Sequence, residues 1–207
     1  MRTESELIFD CGEPRQVQGT ISASTGAGGA VDGGGSMTLT ETFEPLLLRR
    51  VYGTFPTGVA ALAALVGGQP QGIAVSSFTS VSLEPPMVLV CVAHTSTTWP
   101  SLSHVPRLGI SVLAADQERA CRQLSARAGD RFAGLDWHAT GHGAVLLDGA
   151  SAWFECSVEQ QTQAGDHDIV VLRVHDLDGD HAVTPLVFHG SRVRQLHPEP
   201  DAQGTGQ

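Results

Sequence analysis

Small hydroxyl side chains are the densest source of chemistry in this sequence. In the stretch GIAVSSFTSVSLEPP (Gly72–Pro86) an apolar run stops at Ser76, Ser77, Thr79, Ser80 and Ser82, ahead of Glu84-Pro85-Pro86. A second apolar run, MVLVCVA, ends at His94-Thr95-Ser96-Thr97-Thr98. Hydroxyls and backbone N–H groups suit a phosphate, and a helix starting near Thr98 would add its dipole. If the two runs pair in a sheet, their polar ends form one wall of an anion-binding pocket. Ser and Thr also favour turns, so one such cluster says little, and two at the ends of neighbouring strands say more. All 12 basic residues are arginine. Without lysine there is no Schiff-base nucleophile, pyridoxal anchor or P-loop lysine, and a phosphate is held mainly by neutral donors, with room for one Arg.

Other constellations are thinner. Gly165-Asp166-His167 reads either as a turn with an exposed His or as a His that touches a bound cofactor or substrate. Asp176-Leu177-Asp178-Gly179-Asp180 imitates the start of a calcium loop, but its twelfth position is Val187 rather than Glu, so a tight turn is expected. Asp136, His138 and His142 are metal-compatible types, yet the two His converge only on a helix, and Gly141 and Gly143 argue against one. No G-x-S-x-G elbow or H-E-x-x-H motif occurs, and no local spacing supports a Ser-His-Asp triad. Cys11, Cys91, Cys121 and Cys156 show no paired spacing; Cys91 and Cys156, inside apolar runs, read as buried thiols.

The elements that must position these residues follow from composition and pattern. The chain has 207 residues, 41% of them hydrophobic and concentrated between Leu46 and Val187, enough for one core. A net charge of −10 with 5% aromatics disfavours nucleic acid and anionic membrane. No basic-then-apolar leader and no membrane-length apolar run occur, so a cytoplasmic protein is expected. Residues 1–36, with ISASTGAGGAVDGGG, read as a disordered tail, residues 37–196 as the domain, and 197–207 as a second flexible tail. Thr40 is a plausible cap for a helix carrying Phe43, Leu46, Leu47 and Val51. GVAALAALVGG fits a helix by its Ala and Leu content, and a hairpin strand by its length and glycine flanks. Strands are expected at 72–77, 87–93, 107–114, 150–161, 168–174, 184–189 and 191–196. Helices are expected at 99–105, capped by Thr97 or Thr98, and after Asp116, with 130–147 mostly loop. The whole is mainly β with a few helices, a barrel or an α+β sheet.

In order along the chain, Phe55-Pro56-Thr57-Gly58-Val59, GIAVSSFTSVSLEPPMVLVCV, His94–Thr98, ISVLAADQ, Asp130-Arg131-Phe132-Ala133-Gly134, AWFECSVE, Gly165-Asp166-His167 and Pro185-Leu186-Val187-Phe188-His189 resemble the flavin reductase family, the small reductase components of two-component flavin monooxygenases. The resemblance spans roughly Phe43 to Leu196. It implies a split β-barrel of FMN-binding type, a homodimer with flavin near the subunit interface, and reduced FMN or FAD diffusing to a partner monooxygenase. It further implies Val75, Ser76, Ser77 and Phe78 along the flavin ring and ribityl chain, Ser96, Thr97 and Thr98 beside His94 at the phosphate, and Thr57 near the ring. Leu108, Gly109 and Ser111 would contact the flavin, Arg131 and Phe132 would border it, and His167 would meet NADH or NADPH. Hydride would pass between cofactors held about 3–3.5 Å apart, with no catalytic side chain. The sequence departs from the family at Leu108-Gly109-Ile110-Ser111, at Leu172, and at Ser191-Arg192-Val193, where a Gly-Gly-Tyr-like segment is usual. A flavin-binding protein without reductase activity, or one whose tightly bound flavin acts directly on an organic substrate, are the alternatives.

Overall fold

A computed structural model describes residues 43–196. Its elements in chain order are α1 (Pro45–Tyr52), β1 (Thr57–Gly58), β2 (Ala60–Val66), β3 (Gln69–Val75), β4 (Thr79–Leu83), β5 (Pro86–Ala93), α2 (Trp99–Leu102), β6 (Leu108–Val112), α3 (Glu118–Ser125), β7 (Trp137–Ala139), β8 (Val145–Leu147), β9 (Ala152–Ala164), β10 (His167–Gly179), β11 (Val187–His189) and β12 (Arg192–Arg194). A seven-stranded antiparallel sheet runs β3-β2-β6-β9-β10-β5-β4, beside a small β1-β11-β12 sheet and a β7-β8 hairpin. The mainly β expectation holds.

The apolar run GVAALAALVGG is strand β2, and its ambiguity has a physical source. Both faces of β2 are covered, so it shows no alternation. Ala60, Leu62 and Ala64 enter the barrel interior with Val75, Val90, Leu108, Ile110 and Leu172. Ala61 and Ala63 face outward beneath α3 and β8, with Leu113, Leu124, Phe132 and Val145. What decides for a strand is the turn Gly67-Gly68, with φ of +59° and +80°. Two successive positive-φ residues make the hairpin turn whose twist matches its strands, and glycine enters it without steric cost.

The curled sheet does not close by a strand ladder. The condition that the two apolar runs pair is not met: β3 and β5 lie far apart in strand order. A hydroxyl ties the end of β3 to β5: Ser77 Oγ accepts from Cys91 N (2.8 Å) and donates to Cys91 O (3.1 Å). The hydroxyl occupies the place of a missing strand residue, so the barrel stays split there.

Several expectations are corrected. Thr40 lies outside the described residues, and α1 begins at Pro45, with Glu44 at the cap position; a proline in the first turn gives up no helical hydrogen bond. The hydroxyl-rich break after β3 contains the edge strand β4. Asp116 does not cap α3. Gln117 holds the cap position without a side-chain cap bond; its Oε1 instead accepts from Ala114 N (2.9 Å) and its Nε2 donates to Asp148 O (2.7 Å). Residues 130–147 include the β7–β8 hairpin, and all of β8 is buried. The expected turn at Asp176–Asp180 is a continuation of β10 to Gly179, past an irregularity between Val174 and Asp176. Cys156 is buried, but Cys91 is only half-buried, because alternation in β5 turns it to the outer face.

Candidate functional site

Three chain segments meet at one end of the split. The β9–β10 hairpin turns at Gly165-Asp166, with Gly165 at φ +65°. Its register sets His167 opposite Ala93, so the hairpin tip lies against the segment that follows β5. His94 N donates to Asp166 O (3.0 Å), and His94 Nε2 to Asp168 Oδ1 (3.1 Å). Gln161 Nε2 holds the other oxygen of Asp168 at 2.7 Å. His167 Nδ1 donates to Asp166 Oδ1 (2.7 Å), which orients the ring and holds the Asp166 carboxyl below its usual pKa. The two motifs singled out separately in the sequence, His94–Thr98 and Gly165-Asp166-His167, are thus one structure.

The hydroxyls of that loop are directed by their neighbours. Ser96 Oγ accepts from Trp99 N (3.2 Å), so Ser96, not Thr97 or Thr98, serves the start of α2. Thr98 Oγ1 accepts from Arg131 Nη1 (2.8 Å), and the same nitrogen donates to Gly72 O (3.0 Å). Each hydroxyl uses an oxygen lone pair in these bonds, which leaves its proton for a further acceptor. Thr97 is exposed on the same loop. Arg131 is half-buried, and its pKa is lowered by desolvation. No carboxylate among the described residues pairs with it. A partly buried cation that bonds only neutral oxygens invites an anion. This cradle fits a phosphate monoester or diester.

On the β3 side, Ser76 and Ser77 are half-buried after the buried Val75. Phe78 packs at 5.4 Å, centroid to centroid, on Phe154 of the barrel core. Ala60, three residues beyond Thr57, pairs with Val75, so β1 enters at this same end. The hydroxyl of Thr57 is buried without a partner.

Four expected residues are buried in the interior. Leu108 points into the barrel core and is 0% exposed. A Cβ on Gly109 would come within 2.0 Å of Val145 O, because β8 lies directly on it. Ser111 Oγ is buried and accepts from Leu147 N (2.9 Å). Phe132 is 5% exposed and meets Trp137 edge-on at 6.1 Å; it anchors Arg131 from below the outer core. Strand β6 is covered on both faces. The missed participants are Gln161, Asp168 and the Gly72 carbonyl. Asp168 lies next to the Gly165-Asp166-His167 triplet and Gly72 opens the hydroxyl-rich stretch, whereas Gln161 had no nearby signal.

The metal-type histidines serve carboxylates instead. His138 Nδ1 donates to Asp148 Oδ1 (2.6 Å), and His142 Nδ1 to Glu155 Oε1 (2.9 Å). Among the described residues no group of three His, Cys, Asp or Glu is arranged around a metal position.

Residues 52–197 match the model of the flavin reductase like domain. The chain belongs to this family. It is 35% identical over 159 residues to the flavin-dependent monooxygenase reductase subunit HsaB of Rhodococcus jostii, covering 77% of this chain and 82% of that protein. It is 36% identical over 168 residues to an NADH-dependent FAD reductase of Streptomyces globisporus, covering 79% and 92%. The solved structure of Streptomyces globisporus NADH:FAD oxidoreductase SgcE6 in complex with NAD and FAD fragments superposes with a TM-score of 0.72 at 37% identity, covering 78% of this chain and all of that one. The family and the site together make the chain an oxidoreductase of flavin reductase type.

Proposed function

We propose that this protein uses NADH or NADPH to reduce FMN or FAD and releases the reduced flavin to a separate monooxygenase. The observation that carries the reading is the Arg131–Thr98 pair, a guanidinium without a carboxylate set beside hydroxyls with protons to give. Flavin, when bound, accepts a hydride that the nicotinamide nucleotide supplies. The chain's own residues bind and orient. Thr98, Ser96, Thr97 and Arg131 hold the flavin phosphate. Ser76 and the buried Thr57 hydroxyl offer donors to the ring and its side chain, while Ser77, its hydroxyl engaged by Cys91, holds that segment in place. His94, fixed by Asp168, and His167, fixed by Asp166, line the nucleotide side. Leu108, Gly109, Ser111 and Phe132 support these elements from the interior. No side-chain nucleophile is needed.

The reading includes a homodimer. Register places Met87, Leu89 and Cys91 of β5 on one outer face with Ile169 and Val171 of β10, all half-buried. Val81 and Leu83 on β4 are 45% and 95% exposed. Exposed apolar area of this kind is typical of an interaction surface, and His167 lies at its edge. A second copy seated there would put its surface beside the site.

Flavin titration tests the site. The wild-type protein is expected to quench FMN or FAD fluorescence on binding. Arg131→Leu should weaken binding about tenfold, the cost of one charge-assisted phosphate contact. Unchanged affinity in Arg131→Leu would remove the phosphate from this cradle.

A further inference from the structure

Helix α1 carries its apolar side chains in solvent. None of its residues is buried, and Leu46, Val51, Tyr52 and the following Phe55 are each more than half exposed. Leu46, Leu47, Arg50 and Val51 are spaced three and four apart, so apolar and basic side chains share one side of the helix. The β11–β12 turn adds to this corner. Gly190 N donates to Gly53 O at 2.8 Å, which sets the turn against the end of α1 and brings the exposed Arg192 to the same end of the fold. Residues 45–60 and 185–196 hold Arg49, Arg50, Arg192 and Arg194 and no Asp or Glu, in a chain of net charge −10. None of these four arginines makes a side-chain hydrogen bond or ion pair with a described residue.

Exposed apolar area of this density marks an interaction surface, and arginines without carboxylates select an acidic occupant. A second copy fits poorly, because pairing through this corner would bring two clusters of unpaired arginines together. The chain itself carries the complement. Outside the described residues, Glu4-Ser5-Glu6-Leu7-Ile8-Phe9-Asp10-Cys11-Gly12-Glu13 sets three consecutive apolar residues among four carboxylates, with no Arg. The described fold starts at Phe43, directly ahead of α1. Residues 14–42 join the two, and these 29 residues can span at most about 95 Å, enough to reach any part of the corner. Their stretch STGAGGAVDGGGS has the composition of a linker. A tether of this kind holds its segment at an effective concentration of about 1 mM, so modest contacts suffice.

We propose that residues 4–13 dock on the corner formed by α1 and the β11–β12 turn. Leu7, Ile8 and Phe9 lie against Leu46, Leu47 and Val51, and the four carboxylates lie among Arg49, Arg50, Arg192 and Arg194. The docking is independent of the flavin reductase reading.

The test is hydrogen exchange read by mass spectrometry on the full chain, in wild type, R50E/R192E, E6R/D10R and the variant that combines all four changes. In wild type the amides of residues 4–13 should exchange about tenfold more slowly than a free chain of that sequence, and the protection should fade as salt rises. Either pair of substitutions alone should abolish it, and the combined variant should restore most of it by reversing the charges on both sides. Arg50 and Arg192 are exposed and unpaired, so slow exchange in the buried strands β2 and β6 should persist in every variant. Free-chain exchange of residues 4–13 in wild type would overturn the proposal, as would equal protection in all four proteins. It is also overturned if residues 46–55 keep their full wild-type protection in E6R/D10R, which would mean that a second copy covers α1. Protection of residues 4–13 that falls on tenfold dilution would place the segment on another chain and overturn docking within one. No flavin or nucleotide enters the measurement, so failure of the docking and failure of the proposed function are read separately.

Discussion

In the proposed function, Arg131 takes the anion and His167 the nucleotide. Arg131 is set by Phe132, which is buried next to it, and by bonds to Thr98 and Gly72. Thr98 is 33 positions away in sequence and Gly72 is 59. The residue types could be picked out from the chain; their bonding could not, because only the tertiary fold brings them together. His167 was legible through the Gly165-Asp166-His167 spacing, and its carboxylate partner is its own neighbour. His167→Ala should raise the KM of the nicotinamide nucleotide several-fold, about the worth of one hydrogen bond, with a smaller change in flavin affinity. Steady-state kinetics beside a flavin titration reads both, and an unchanged KM would take His167 out of the nucleotide site. Cys156 gives a separate test. Burial first, and then the neighbouring Glu155 carboxylate, push its thiol up from about 9 to about 12. The folded state thus holds a proton that the unfolded chain releases above pH 9. The stabilisation is complete below that value and is lost as pH rises toward 12, at about 1.4 kcal/mol per pH unit. Denaturant melts across this range should fall more steeply for wild type than for Cys156→Ala, and parallel slopes would contradict the assignment.

The elements were read best where one face is wet. The half-buried strands β5 and β9 alternate, and the sequence placed both within a few residues. β2 gives no such alternation, and only its glycine turn identifies it as a strand. The β7–β8 hairpin reads as loop in the sequence because its strands are three residues each, too short for a period to show. Strand β4 was hidden by the hydroxyls that mark the site, since Ser and Thr serve turns and edge strands alike. The burial of Leu108, Gly109 and Ser111 was hidden for the same reason: nothing in the sequence of β6 shows that β8 covers it. Two substitutions test this architecture. Ser77→Ala removes both bonds that tie β3 to β5 and should cost about 1–3 kcal/mol in chemical denaturation. Gly109→Ala drives a methyl into the Val145 carbonyl and should cost about 1–3 kcal/mol or more by overpacking. Wild-type stability in either variant would show that the contact bears no weight.

At the scale of the whole molecule, the described residues contain no helix long and apolar enough to cross a membrane. They do expose apolar side chains in quantity. Besides the β4–β5–β10 face, α1 buries none of its residues, and Leu46, Tyr52 and Phe55 are 71%, 70% and 73% exposed. A homodimer through the β5 and β10 face predicts that Leu89→Glu or Ile169→Glu halves the mass found by light scattering. A wild-type protein already monomeric at micromolar concentration would end that proposal. The proposed function requires that electrons pass from nicotinamide to free flavin. The most direct measurement is an anaerobic assay with NADH or NADPH and excess FMN or FAD, following nucleotide oxidation and flavin bleaching together. The account predicts multiple turnovers with one flavin reduced per nucleotide oxidised. Flavin binding without reduction by either nucleotide would contradict it, and so would a single turnover confined to flavin that never leaves the protein.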